Sequence, residues 1–393
     1  MCYAIPGRIT GIKDNIVSVE YFGEQKKARN EFFDLKIGDY AYAQGGFIIQ
    51  KISEREALPV LESWKELFFK LQEIDSQLIQ KDPKTLYQRA NNLRQKYHGN
   101  SCCTHGIIEF SNYCGMDCFY CGIRKSNSKL ARYRMSLDEI LEAARFAVHK
   151  LRFKALVLQS GEDPWYDEEK LVYLVKKIRQ DSPSLIILSL GERDFGLYER
   201  LYKEGARSVL LRFETANLDL YAQLRPGREL KNRVELIGKL HKLGYLVMTG
   251  FLIGLPGEKE EDIKKNIELT NALAADMFSF GPFIPHPDTP LANTPLVHTE
   301  TVLNTIANAR VLNPKAQILV NTSFETLDRA NALRSGLMAG ANSLMINVTP
   351  RKYQRFYDIY PERAGVEEDV EMRIENIVKL LRSIGRAPTD LGL

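Results

Sequence analysis

Gly106-Ile107-Ile108-Glu109-Phe110-Ser111-Asn112-Tyr113-Cys114-Gly115-Met116-Asp117-Cys118-Phe119-Tyr120-Cys121-Gly122 joins a short apolar run to three cysteines within eight residues. A run of this kind reads as a strand buried on both faces. It is the first of eight, at 106–111, 155–160, 185–190, 208–214, 245–253, 277–284, 316–323 and 343–348, which alternate with helix-like stretches. Eight strand and helix units predict an α/β chain closed into a (β/α)8 barrel of TIM type, with its active site at the carboxyl ends of the strands. An open doubly wound sheet is the alternative; the chain length and the count of eight favour closure.

The cysteines follow the first strand directly and so fall at that end. Three thiolates hold three irons of a four-iron, four-sulfur cluster and leave the fourth open to a small molecule. A structural zinc site would need a fourth Cys or His, for which Cys102, Cys103 and His105 are the nearest candidates. Inert packing thiols are a poorer reading, because Gly115 and Gly122 give this stretch a backbone freedom that packing does not require.

The formal net charge of +4 argues for neither a nucleic-acid nor a membrane partner. The six cysteines make no disulfide framework, and no leader or membrane-length apolar run is expected. The expectation is a cytoplasmic protein, of an anaerobe if the cluster is present.

Three segments are expected: 1–57, 58–100 and 101–393. In the first, alternating runs, turn signals at Asp14-Asn15 and Gly38-Asp39, and an apolar run at 46–52 predict a small OB-like β-barrel. Its eight Lys and Arg balance eight Asp and Glu, without the basic excess of an oligonucleotide binder. The second predicts a helical bridge, with Trp64, Leu67, Phe68 and Leu71 on one face and a break at Asp82-Pro83. The third holds the large barrel.

Met1-Cys2-Tyr3-Ala4-Ile5-Pro6-Gly7-Arg8-Ile9, with Gly38-Asp39-Tyr40 and Gly45-Gly46-Phe47-Ile48-Ile49-Gln50, resembles the HypC family of hydrogenase maturation chaperones. The resemblance implies that Cys2, exposed by removal of Met1, is an iron ligand. The family usually has His where this chain has Gln44.

The CxxxCxxC spacing with an aromatic before the last cysteine resembles the signature of radical S-adenosylmethionine (SAM) enzymes. The runs Ile107-Ile108-Glu109-Phe110-Ser111-Asn112, Gln159-Ser160-Gly161-Glu162-Asp163-Pro164, Leu188-Ser189-Leu190-Gly191-Glu192, Glu214-Thr215-Ala216-Asn217, Leu224-Arg225-Pro226 and Gly281-Pro282-Phe283-Ile284-Pro285-His286-Pro287 resemble, within that group, the HydE family. This implies a four-iron, four-sulfur cluster on Cys114, Cys118 and Cys121, with SAM as cofactor. It also implies SAM contacts from Tyr120, Gly161, Glu162, Ser189, Glu214, Arg233 and Leu252. Glu162 would receive the ammonium and Arg233 the carboxylate. Arg212, Met277, Asn321, Thr322, Tyr357 and Tyr360 match residues that line the substrate cavity. Arg212 is expected to hold an anion, since an unpaired guanidinium inside a barrel is too costly to retain. Phe213 stands where the family usually has His, and Asn321 where it usually has Thr. No cysteine follows Cys121, so an optional second cluster near the end cannot be cysteine-bound.

The function implied is hydrogenase metal-cofactor maturation by a radical enzyme acting on a cysteine-bound iron carbonyl cyanide species. The partners implied are an electron donor such as ferredoxin or flavodoxin and maturation proteins met through the small domain. An amino-acid mutase resembling methylornithine synthase and an iron carrier or scaffold are the alternatives.

Overall fold

The computed structural model describes residues 3–392. Strands β1 (Gly7–Lys13), β2 (Ile16–Tyr21), β3 (Glu24–Arg29), β4 (Tyr40–Gln44) and β5 (Phe47–Ile52) close into a small barrel in the order β1-β2-β3-β5-β4. Alternation along β2 turns Val17, Val19 and Tyr21 inward, where they meet Ile5, Ile9, Ala41 and Ala43. Asp14, at φ 54, makes the turn between β1 and β2.

Helix α1 (Glu54–Gln77) begins at Ser53, which forms a capping box with Glu56. Its apolar stripe places Trp64, Phe68 and Leu71 in the core of the small barrel. Helix α2 (Leu86–His98) instead packs on the helix Thr299–Leu312 of the large barrel, and Tyr87 donates to Asn304 Oδ1 at 2.8 Å. The bridging region is thus two helices, one seated on each barrel. A buried ionic knot ties them: both terminal nitrogens of Arg94 lie 2.8 Å from the Asp75 carboxylate, and Arg386 Nε approaches it at 3.2 Å.

The chain from Ser101 onward adds β6 (Ser101–Ser111), β7 (Ala155–Ser160), β8 (Leu185–Ser189), β9 (Ala206–Leu210), β10 (Leu246–Thr249), β11 (Leu252–Ile253), β12 (Met277–Phe278), β13 (Gly281–Pro282), β14 (Gln317–Ile318), β15 (Ser343–Asn347) and β16 (Ala387–Pro388). Among the described residues, eight parallel strands run in the order β14-β12-β10-β9-β8-β7-β6-β15. A bridge from Leu319 to Ser343 brings the last pair together, so the barrel is nearly closed. Each of the eight apolar runs overlaps one of these strands; six contain theirs, while β6 and β9 begin before their runs do.

The differences have local causes. Strand β6 starts at Ser101, earlier than its apolar run, because residues 101–105 pair with β15 and β16 and are buried. The runs at 245–253 and 277–284 each break into two short strands. The cause is a close crossing, since a β-carbon at Gly250 would lie 2.7 Å from the Ser279 carbonyl carbon. The small barrel covers the amino-terminal mouth of the large one. Gly45, at φ +55, sits so close to Leu185 and Leu246 that a β-carbon would come within 3.0 Å of both. Gln44 Nε2 donates to Thr389 O at 2.8 Å, and Arg207 pairs with Glu31. Among the described residues, no helix is long and apolar enough to cross a membrane.

Candidate active site

Beyond Ser111 the chain leaves the carboxyl rim of the large barrel as a loop whose backbone is pinned from several sides. Buried Asn112 donates from Nδ2 to Ala131 O at 2.8 Å and Phe356 O at 2.6 Å, and its Oδ1 accepts from Tyr133 N at 2.7 Å. Gly115 N donates to Glu162 O and Gly122 N to Ile359 O, both at 2.9 Å. Arg132 spreads its guanidinium over the carbonyls of Asn112, Ile123, Arg124 and Asn127. Arg124 donates to Asp117 and holds its carboxyl well below the usual range.

This loop presents Cys114, Cys118 and Cys121 to one cavity of about 310 Å³. Among the described residues that line it there is no histidine and no further cysteine. Burial pushes all three thiols up. Three half-buried thiols pushed up in this way become thiolates beside cations, so this donor set fits an iron cluster with one iron left over. The zinc alternative loses its fourth ligand: Cys103 and His105 lie toward the other end of β6, about 26 and 20 Å of strand from Ser111. Cys102 is buried in the main core.

The rim of β7 closes against this loop. A β-carbon at Gly161 would stand 2.8 Å from Cys114 Cβ and closer still to the Tyr113 carbonyl oxygen. Gly191, at φ +74, leaves equally little room beside Glu162. Glu162 belongs to a five-membered charge cluster with Glu192, Arg225, Arg228 and Arg233. Arg225 lies 3.6 Å from Glu162 Oε1 and 3.1 Å from Glu192 Oε1; Arg233 Nε bonds Glu192, and its NH2 lies 3.9 Å from Glu162. Burial raises the Glu162 carboxyl. Ser189 Oγ donates to Gln159 Oε1 at 3.1 Å. Tyr120 packs on an apolar wall of Leu220, Leu224, Leu252, Leu255 and Phe283.

Deeper in the same cavity, Arg212 is not unpaired as expected. Its NH2 lies 2.8 Å from Glu214 Oε2, two residues along, which corrects the premise that it waits for an anion. Glu214 holds φ +69, a left-handed conformation unusual for a non-glycine residue. Its N donates to Gly250 O at 3.1 Å and its O accepts from Leu252 N at 2.9 Å. Below it, Arg363 pairs with Glu109, which also accepts from Asn347 Nδ2 at 2.8 Å. Tyr357 and Tyr360 flank this guanidinium, with ring centroids at 5.4 and 5.9 Å.

Asn321 lines the cavity beside Thr322, and its Oδ1 caps the helix Thr322–Leu327 by accepting from Phe324 N at 3.0 Å. Phe213 is buried in the main core, away from the cavity lining. Met277 is a correction: as the first residue of β12 it lies in the lower layer of the barrel and lines a different cavity, at the amino-terminal end. Cys2 lies outside the described residues. Sequence reading did not single out Arg225, Glu192, Glu109 or Arg363. Glu109 had a visible signal, a carboxylate inside an otherwise apolar strand; Arg225 and Glu192 lay in family-like runs without an assigned role.

Comparison with known proteins gives this geometry a family. The Radical SAM superfamily matches residues 108–270, the HupF/HypC family residues 1–64, and the Biotin and Thiamin Synthesis associated domain residues 279–376. The chain is 39% identical to the FeFe-hydrogenase maturase subunit HydE of Thermotoga maritima, over 78% of this chain and 87% of that one. It is 29% identical to 3-methylornithine synthase of Methanosarcina acetivorans, over 77% and 85%. A crystal structure of methylornithine synthase superposes with a TM-score of 0.69 at 27% identity, covering 82% of this chain and 97% of that one. The cofactors of this superfamily are a four-iron, four-sulfur cluster and SAM. With three sulfurs facing one cavity at the carboxyl rim of a nearly closed barrel, the chain belongs to the HydE family of radical SAM enzymes and carries a HypC-like domain at its amino-terminal end.

Proposed function

We propose that this enzyme matures a hydrogenase metal centre by acting on a cysteine-bound iron carbonyl cyanide species. In this reading Cys114, Cys118 and Cys121 hold the cluster. Glu162 takes the SAM ammonium, and Gly161 lets the backbone come close. Arg233, released in part from Glu192, takes the carboxylate. Ser189 and Glu214 offer hydrogen-bonding groups to the sugar, and Tyr120 and Leu252 wall the base. When bound, cluster and SAM supply a 5'-deoxyadenosyl radical, which attacks unactivated bonds.

The observation that carries the substrate class is the polar lower part of the cavity. Two ion pairs, Arg212 with Glu214 and Arg363 with Glu109, share it with the three sulfurs. Such a floor suits a small, charged substrate that competes for a guanidinium, with Asn321, Thr322, Tyr357 and Tyr360 as further contacts. The relation to the maturase of Thermotoga maritima favours an iron complex. A mutase acting on an amino acid is the second reading, because Arg212 would suit its carboxylate and the methylornithine synthase structure is similar. The HypC-like domain favours docking of other maturation proteins, and the cluster needs an electron donor such as ferredoxin or flavodoxin.

Anaerobic SAM cleavage by the reconstituted protein separates these readings. Deoxyadenosine formation stimulated by the iron-cysteine carbonyl cyanide complex, and lost in Cys118→Ala, is the expected result. Stimulation by lysine alone would move the assignment to a mutase; no deoxyadenosine with either compound at full cluster occupancy would remove the enzyme reading and leave a carrier.

A further inference from the structure

We propose that Cys103, His105 and Asp390 form a second metal site, at the floor of the large barrel, for a divalent first-row transition ion such as Fe2+ or Zn2+. Cys103 and His105 stand two apart on β6 and so share a face. Asp390 arrives from the chain end. Strand β16 pairs Ala387 with Ser101 and Pro388 with Cys102, and Lys154 N then donates to Asp390 O at 2.7 Å. The side chain is steered by Thr104 N, which donates to Asp390 Oδ2 at 3.2 Å. One donor atom from each of the three residues lies within 4.8 Å of the other two.

The imidazole supplies the second observation. His105 is 2% exposed, and its Nε2 lies 3.2 Å from Asp390 Oδ2. Its Nδ1, equally buried, has no hydrogen-bond partner among the described residues. Leaving a buried ring nitrogen without a partner is costly, and a metal ion is a partner that also uses the thiol and carboxylate beside it.

All three residues line a cavity of about 680 Å³ that also meets Gln44, Gly45 and Gly46 of the small barrel. Three protein donors beside a cavity leave a coordination position open, which distinguishes the site from a closed structural one with four. It is separate from the cluster site. Ile107, Met248, Met277 and Leu319 form one apolar cluster with Cys103, and of these Ile107 and Leu319 line the upper cavity while Met248 and Met277 line the lower. Metal binding here is independent of whether the upper cavity accepts an iron complex or an amino acid.

The test uses full-length protein in which Cys114, Cys118 and Cys121 are all replaced by alanine, titrated anaerobically with Co2+, whose absorption reports sulfur ligation and geometry. One cobalt per chain with a thiolate-to-cobalt charge-transfer band is expected. That band should vanish in Cys103→Ala, binding should weaken roughly tenfold or more in His105→Ala and Asp390→Asn, and Cys102→Ala should leave both unchanged. Absence of the band in the parent, or its survival in Cys103→Ala, would overturn the site. Should circular dichroism show the triple-alanine parent unfolded, zinc per chain is measured on cluster-loaded wild type and on its Cys103→Ala variant. One equivalent more in the wild type supports the site; equal contents refute it.

Discussion

Replacing Gly161 by alanine tests the site at the contact where the β7 rim meets the cluster loop. The new β-carbon would lie 2.8 Å from Cys114 Cβ, whereas ordinary contact begins at 3.4 Å, so Cys114 must retreat by about 0.6 Å. The Tyr113 carbonyl must retreat further, and it is backbone rather than a side chain that can swing aside. A misplacement approaching 1 Å near reacting groups costs up to about 100-fold in rate, so deoxyadenosine formation should fall roughly 10- to 100-fold, or about 1.4–2.7 kcal/mol of barrier. Gly115→Ala is the internal control, because its β-carbon would meet only Glu162 O, at 3.4 Å, and should stay within about twofold of wild type. The assay is anaerobic deoxyadenosine release at saturating SAM, with iron content measured on the same samples. Equal rates for Gly161→Ala and Gly115→Ala at full cluster occupancy would refute the claim that this close approach fixes the cluster loop.

Three further outcomes follow from other contacts. Asp75→Asn removes the carboxylate that Arg94 and Arg386 share in the buried knot between the two barrels; leaving those guanidiniums uncompensated should cost about 3–5 kcal/mol, read as a lower denaturant midpoint. Arg225→Met should raise the KM for SAM, since this buried guanidinium links Glu162 to Glu192; because it also hydrogen-bonds the Cys118 sulfur, the comparison is made at equal iron content, and an unchanged KM would remove Arg225 from the SAM site. Burial pushes the Glu258 carboxyl up to about 7 from 4.5. The folded chain therefore keeps a proton that the unfolded chain has lost between those values, and stability falls as pH rises through that window by up to about 1.4 kcal/mol per unit. Glu258→Gln, which can still accept from Gly254 N, should flatten that slope in denaturant titrations run at a series of pH values.

The large barrel was legible because its signal is repeated: eight apolar runs, each far enough from the next to hold a helix, leave little choice of architecture. The cysteine loop was legible because three thiols in eight residues need a common ligand. What sequence could not supply was pairing across the fold. Arg212 was read as waiting for an anion, and only the left-handed turn at Glu214 shows that a carboxylate two residues on already meets it. Met277 was placed in the upper cavity by its match to the family's cavity residues, but side-chain layers in a barrel are set by where each strand starts relative to its neighbours. Register of that kind is a tertiary fact. Arg363 and Glu109 are 254 residues apart, and no periodicity joins them.

The position of the small barrel follows from the chemistry at the opposite end. Strands that carry the cluster loop, the Gly161 turn and Glu214 at their carboxyl ends must leave that rim open to SAM and substrate, so an added domain can cover the large barrel only at its amino-terminal mouth. Gly45, pressed against Leu185 and Leu246 at the starts of β8 and β10, meets this requirement by dispensing with a side chain where the two barrels touch. The docking also walls in the lower cavity, with Cys103 and His105 at one end of β6 and the cluster loop following its other end. Anything passing inside the barrel from one cavity to the other would have to displace the layer built from Ile107, Met248, Met277 and Leu319. Those side chains are buried and apolar, and two of them are methionines, the residues that repack at least cost. Substituting that layer, and not the small barrel, is therefore the change that would join or seal the two cavities.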